Sequence, residues 1–168
     1  MNVVLNELKT RASFLHKKLK LSDPASLVLV AKLSRKRQWV MPAQWQHKHC
    51  LNLIAAQYGF HDWQHAHHVF SGAAIHGDDV GDFWHQDMGF TNHWFSDYFE
   101  ASDYLTSHPG SFLLPYRRQY FVAECEYLEA LQLQPKHPGW QQYEHNLCLS
   151  YGSEFWLSLA LHRLRELN

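Results

Sequence analysis

Nine of the fourteen histidines in this 168-residue chain fall between residues 47 and 93, and carboxylates crowd the second half of that window. His61, His65 and His68 follow at four- and three-residue steps, and the stretch beyond them adds His76, Asp78, Asp79, Asp82, His85 and Asp87. Neutral imidazole with carboxylate is a donor set for zinc or another divalent transition metal. A metal centre built from His61, His65, His68, His85 and Asp87 would support a hydrolase or an oxygenase. The spacing matches no HExxH pair and no Cys-His ribbon. The competing reading makes most of these imidazoles surface or capping groups, with no cofactor.

A second chemistry lies in the cations. The first fifty residues hold ten Lys and Arg against two acids, whereas the remaining 118 hold five against fourteen. The two parts carry about +8 and −9, an asymmetry that points to a nucleic acid, an anionic surface or the chain's own opposite half. Arg35, Lys36 and Arg37 precede Trp39, with Lys17 and Lys18 one helix earlier and Trp45 just beyond. Cations beside indoles are what phosphate backbones and unpaired bases reward. Arg117 and Arg118, beside Tyr116, Tyr120 and Phe121, form a smaller candidate anion clamp, with pairing to Glu124 or Glu126 as the simpler expectation. Nucleophile chemistry has no support: Ser96, Ser107, Ser111 and Cys125 lack an elbow or a family-type Cys context, and no phosphate-binding glycine loop is present.

The elements that must position these groups follow from periodicity. Val4, Leu8, Ala12, Leu15 and Leu19 recur at three- and four-residue steps, which predicts a helix over residues 3–20. Ser22-Asp23-Pro24 reads as the start of a second helix, with Leu27, Val30, Ala31 and Leu33 inward and Arg35-Lys36-Arg37 at its end. A third helix is expected over residues 43–58, closed by Gly59, and a fourth from the cap Asp62 to about Gly72. Residues 73–91 then carry glycines and aspartates with no sustained period, a long aromatic and acidic loop. Beyond it we expect a strand at 92–97, a helix at 98–107, and one strand over 111–123 interrupted at Pro115. A short helix at 124–133, a turn at 134–139 and a helix at 153–167 complete the reading.

The segment 47–70, HKHCLNLIAAQYGFHDWQHAHHVF, resembles the short helical module found at the front of bacterial proteins labelled glyoxalase-superfamily. The matching positions are His47, Leu51, Leu53, Ile54, Ala55, Gly59, Phe60, Asp62 and Trp63. The resemblance implies a helical hairpin and no activity, because the paired βαβββ metal-binding modules of a glyoxalase are absent downstream.

These readings combine into a helix-dominated α+β protein: a basic four-helix unit over 1–72, the loop 73–91, and a small αβ unit with a C-terminal helix over 92–168. Composition is 46% hydrophobic and 15% aromatic with seven Trp, enough for a packed core. No apolar run approaches the roughly 18 residues of a membrane span. The N-terminus has no signal-peptide pattern, and the three separated cysteines form no CxxC pair. The expectation is a cytoplasmic, non-enzymatic binding or regulatory protein that contacts nucleic acid or a nucleoprotein complex through its basic helices. Two alternatives stand beside it: a protein–protein or self-associating module, and the His/Asp metal enzyme.

Overall fold

The computed structural model describes residues 1–167, and begins with the expected helix α1 (Val3–Lys20). Its stripe of Val4, Leu5, Leu8, Ala12, Leu15 and Leu19 is buried. Asn2 caps it by accepting the backbone N–H groups of Val4 and Leu5 at 3.1 and 3.0 Å. The same side chain donates to the Phe70 carbonyl at 2.7 Å, which ties the first residues to the end of the fourth helix.

Helix α2 (Pro24–Arg37) starts as read, with the Asp23 carboxylate accepting the Ser26 N–H at 2.9 Å. Of the expected inward residues, Val30 is buried and Leu33 packs against the core, whereas Leu27 is exposed. Ser26, Val30 and Ser34 point inward, while Leu27 and Val28 face solvent. The i, i+4, i+8 spacing of two serines around one valine gives a narrow contact stripe, so α2 lies on the surface of the protein.

Helix α3 (His47–Gln57) begins later than the periodicity suggests, because Gln46 is extended and its N–H donates to His49 Nδ1 at 3.0 Å. Its end is a left-handed cap. Gly59 takes φ +93°, and the Phe60 N–H returns to the Ala55 carbonyl at 3.0 Å. An added Cβ at Gly59 would lie 1.9 Å from Asp82 Oδ1, so this glycine also admits the close approach of the central loop. Asp62 then caps α4 (Trp63–Phe70) through the His65 N–H at 2.8 Å.

After the irregular stretch come β1 (His93–Phe95), α5 (Tyr98–Ser107), β2 (Phe112–Tyr116) and β3 (Gln119–Ala123). The strands form an antiparallel sheet in the order β1-β3-β2. Residues 111–123 are therefore a hairpin, not one strand. Tyr116 pairs with Gln119, and Arg117-Arg118 is the two-residue turn between them. Arg117 holds φ 51° without the glycine or asparagine that normally marks such a turn. The central loop supplies what the turn lacks: the Arg117 N–H donates to the Gly81 carbonyl at 2.8 Å, and the Val80 N–H donates to the Arg117 carbonyl at 3.2 Å. Pro115 is accommodated because β2 is an edge strand of this sheet.

The chain closes with α6 (Cys125–Ala130), α7 (Pro138–Gln142) and α8 (Glu154–Glu166). Helix α7 stands where a turn was expected: Pro138 sets its first turn, and His137 Nδ1 accepts the Gly139 N–H at 2.9 Å. Among the described residues the fold is α+β and helix-dominated, with eight helices and one small sheet. No helix among them is long and apolar enough to cross a membrane. One cluster of buried side chains draws on α1, α3, α4, the central loop, the hairpin, α6 and α8 together. Phe83 and Trp84 from the loop lie inside it.

Candidate nucleic-acid interface

The cations of the N-terminal half lie on the solvent side of α1 and α2. Lys17, Lys18, Lys20, Lys32, Arg35 and Lys36 are exposed. None of them has a carboxylate within ion-pair distance among the described residues. Arg11 pairs within its own helix, with Glu7 at 2.9 Å.

Arg37 is unlike its neighbours. It is half-buried, and its Nη2 donates to the Phe60 carbonyl at 2.8 Å, so it fastens α2 to the turn between α3 and α4. Trp39 and Trp45 are both half-buried and line one cleft of about 330 Å³ with Ser34, Gln38 and His49. The end of α2 therefore separates an aromatic cleft from the side on which Lys36 and Arg37 open. Sequence places Lys17, Lys18, Arg35, Lys36, Arg37 and Trp39 in one interface; Arg37 has a structural bond to keep there, Lys17 lies over the Phe14 ring at 5.8 Å, and the other cations make no ion pair among the described residues.

The five proposed metal ligands do not converge. His65 Nδ1 accepts the His61 N–H at 3.0 Å, which leaves the proton on Nε2, and Nε2 donates to the Asp79 carbonyl at 2.7 Å. Both ring nitrogens of His65 are thus occupied. His61 Nε2 bonds Asp79 Oδ2 and His68 Nε2 bonds Asp78 Oδ2, each at 3.0 Å. These imidazoles clip the central loop onto α4. His85 lies elsewhere, among the rings of Trp94, Tyr116 and Phe121 at centroid distances of 5.2, 5.0 and 5.5 Å. Burial holds its imidazole below the ordinary histidine range, with Asp87 and Asp82 opposing. Asp87 lies near enough to act on His85, and its Oδ1 accepts the Gly89 N–H at 3.4 Å. Among the described residues, no group of three His, Cys, Asp or Glu has the arrangement of a metal site.

The Asp79 clip carries a pH dependence. Burial raises its carboxyl, but the Gly81 N–H, His61 and His65 lower it further, and the net position is below the usual carboxylate range. The stability this adds is complete above the unfolded value of about 3.9 and is lost as pH falls through the lower folded value. Asp79→Asn is expected to cost about 1–2 kcal/mol at neutral pH and to flatten the acid limb below about pH 4. Urea denaturation across pH reads both effects.

Arg117 and Arg118, read as strand residues pairing with Glu124 or Glu126, occupy the hairpin turn instead. Arg117 Nη2 faces Asp82 Oδ2 at 3.4 Å, and Arg118 Nη1 donates to the Gly77 carbonyl at 2.9 Å. Arg117 also borders a cavity of about 200 Å³ walled by Trp84, Tyr98, Tyr120, Tyr151 and Trp156. Cys148 lines it too, and burial pushes its thiol up to about 12, which keeps it protonated and unreactive.

One residue escaped the sequence reading. Arg163 lies on the buried stripe of α8, four residues after Leu159 and three after Ala160, and is 4% exposed. Its Nε donates to the Phe83 carbonyl at 2.7 Å. The signal was present as a cation in phase with the apolar positions of its helix. No family model, curated protein or solved structure matches the chain.

Proposed function

We propose that the chain is a non-enzymatic protein that binds nucleic acid, alone or within a nucleoprotein complex, through the outer faces of α1 and α2. The observation that carries this is the set of six outward cations, Lys17, Lys18, Lys20, Lys32, Arg35 and Lys36, left without acidic partners. Such cations gain most by displacing counterions from a phosphate backbone. The Trp39–Trp45 cleft favours a single strand, whose bases have open faces for an indole. The three free cysteines, none in a disulfide, suit a reducing cytoplasmic setting.

A second reading, a protein partner on the same face, rests on Phe14, Leu21 and Val28, which are 58%, 82% and 70% exposed on or beside these helices. A labelled single strand titrated over a range of salt separates the two. Backbone binding falls linearly in log–log form with a slope of about −0.7 for each phosphate neutralised. Apolar docking of a protein persists at high salt. Absence of strand binding at low salt removes the nucleic-acid reading.

A further inference from the structure

Arg163 has its charge in the interior and no acid to neutralise it. Among the described residues no carboxylate comes within ion-pair distance of its guanidinium. A buried cation in that condition costs several kcal/mol unless something offsets it. The Phe83 carbonyl takes Nε, and the Phe83 ring lies 5.7 Å from the guanidinium carbon. That accounts for one N–H of five. The Nη groups have no acceptor among the described residues, yet no buried side-chain nitrogen there lacks a partner, so they open to solvent. They do so in two adjoining clefts that share Gln57, Tyr58, Gln86 and Leu167.

The cleft toward α2 holds about 220 Å³ and is bordered by Lys36, Arg37 and Tyr58. Asp82 is its one acid, and that carboxylate is turned to Arg117 at 3.4 Å. Lys36, Arg37 and Arg163 outnumber Asp82 in this cleft and Glu166 in the adjoining one, so the site keeps a net positive charge that suits an anionic group. The volume exceeds that of several waters at about 30 Å³ each, so a tetrahedral oxyanion fits. A guanidinium with its outer edge free presents two parallel N–H groups to such a group. Burial pulls the Arg163 guanidinium down to about 10, so it stays charged at neutral pH.

We infer that Arg163, with Lys36 and Arg37 at the rim, forms a phosphate-binding site between α2, α3 and α8. The phosphate is either free or the phosphorylated end of a nucleic-acid strand. The second source rests on the proposed function; the first stands without it.

The test follows the arginine side-chain N–H signals of the intact protein by NMR while inorganic phosphate is added at constant ionic strength. The Arg163 signal, identified with Arg163→Lys, is expected to move saturably with a midpoint at millimolar phosphate or below. Chloride at the same ionic strength leaves it in place. Lys36→Ala, at an exposed position, raises the midpoint about two- to fivefold. An Arg163 signal that does not respond to phosphate, or responds equally to chloride, overturns the site. Should Arg163→Lys fail to fold, through-bond assignment from the Arg163 backbone identifies the signal, and the wild-type titration and Lys36→Ala still decide. Strands with 5′-phosphate and 5′-hydroxyl ends identify the source. Displacement of phosphate only by the phosphorylated strand supports the strand end. Phosphate binding with no effect of either strand supports the free ion, and strand binding to the outer faces of α1 and α2 is then read separately by the salt titration.

Discussion

Replacing Lys32, Arg35 and Lys36 together with alanine is expected to weaken single-strand binding about 100-fold at about 0.1 M salt and to flatten the salt slope by about 2. The figure follows from counterion release: three phosphates at about 0.7 each give about two log units between 0.1 M and 1 M salt. All three side chains are exposed, occupy i, i+3 and i+4 of α2, and make no ion pair among the described residues. Stability should therefore change by no more than about 0.5 kcal/mol, so a fall in affinity reports the interface itself. Arg37 is left in place because its bond to the Phe60 carbonyl holds α2 against the turn before α4. A variant including Arg37 would confuse a loosened helix with a lost contact. An unchanged slope in the triple variant places the binding surface somewhere other than α2.

The contrast between α1 and α2 shows what periodicity can and cannot reveal. On α1 the buried stripe is made of strong apolar residues, and Val4, Leu8, Ala12, Leu15 and Leu19 are buried as their spacing requires. On α2 the buried stripe is Ser26, Val30 and Ser34, with Leu33 packed against the core beside it and Leu27 exposed. Small polar residues let helices approach closely, and no hydrophobicity pattern registers that. The Arg117-Arg118 turn was hidden for a related reason. Its positive φ is upheld by backbone bonds to Val80 and Gly81, which are distant in sequence, and not by a turn residue at the site.

The histidines were legible as a cluster, which left a metal site and a set of capping groups both open. His61, His65 and His68 do share a region with Asp78 and Asp79, but the two carboxylates bond His61 and His68, while His65 donates to the Asp79 backbone carbonyl. Residue type and spacing cannot distinguish a clip from a ligand set, because both need the same groups near one another. Arg163 is the converse. One cation in an apolar stripe is a weak signal in sequence, and its burial without an acid becomes visible only when the loop carbonyl of Phe83 and the cleft beside α2 are placed around it.

Phe83→Ala is expected to destabilise the protein by about 3–5 kcal/mol, a large part of the roughly 5–15 kcal/mol typical of a domain. The ring is 3% exposed and meets Phe60, Phe70 and Trp84 at centroid distances of 6.2, 5.4 and 4.8 Å. The loop that carries it is fastened on both sides of this residue. Asp82 N–H donates to the Gly59 carbonyl at 3.1 Å, and the buried Tyr127 hydroxyl donates to the Trp84 carbonyl at 3.1 Å. Because these bonds hold the backbone, the site cannot collapse well, and the cavity term should be near its upper range. Urea denaturation followed by tryptophan fluorescence should show one cooperative transition at a lower midpoint, since the buried cluster joins the loop to α1, α3, α4 and α8. A loss below about 1 kcal/mol, or a separate early transition, would mean that the loop only drapes over a core formed without it. The variant also separates the two binding surfaces. Lys32 and Arg35 on the outer face of α2 lie outside the cleft that Phe83 lines, so strand binding there should persist in the folded fraction. The Arg163 guanidinium rests against the Phe83 ring, so its response to phosphate should weaken.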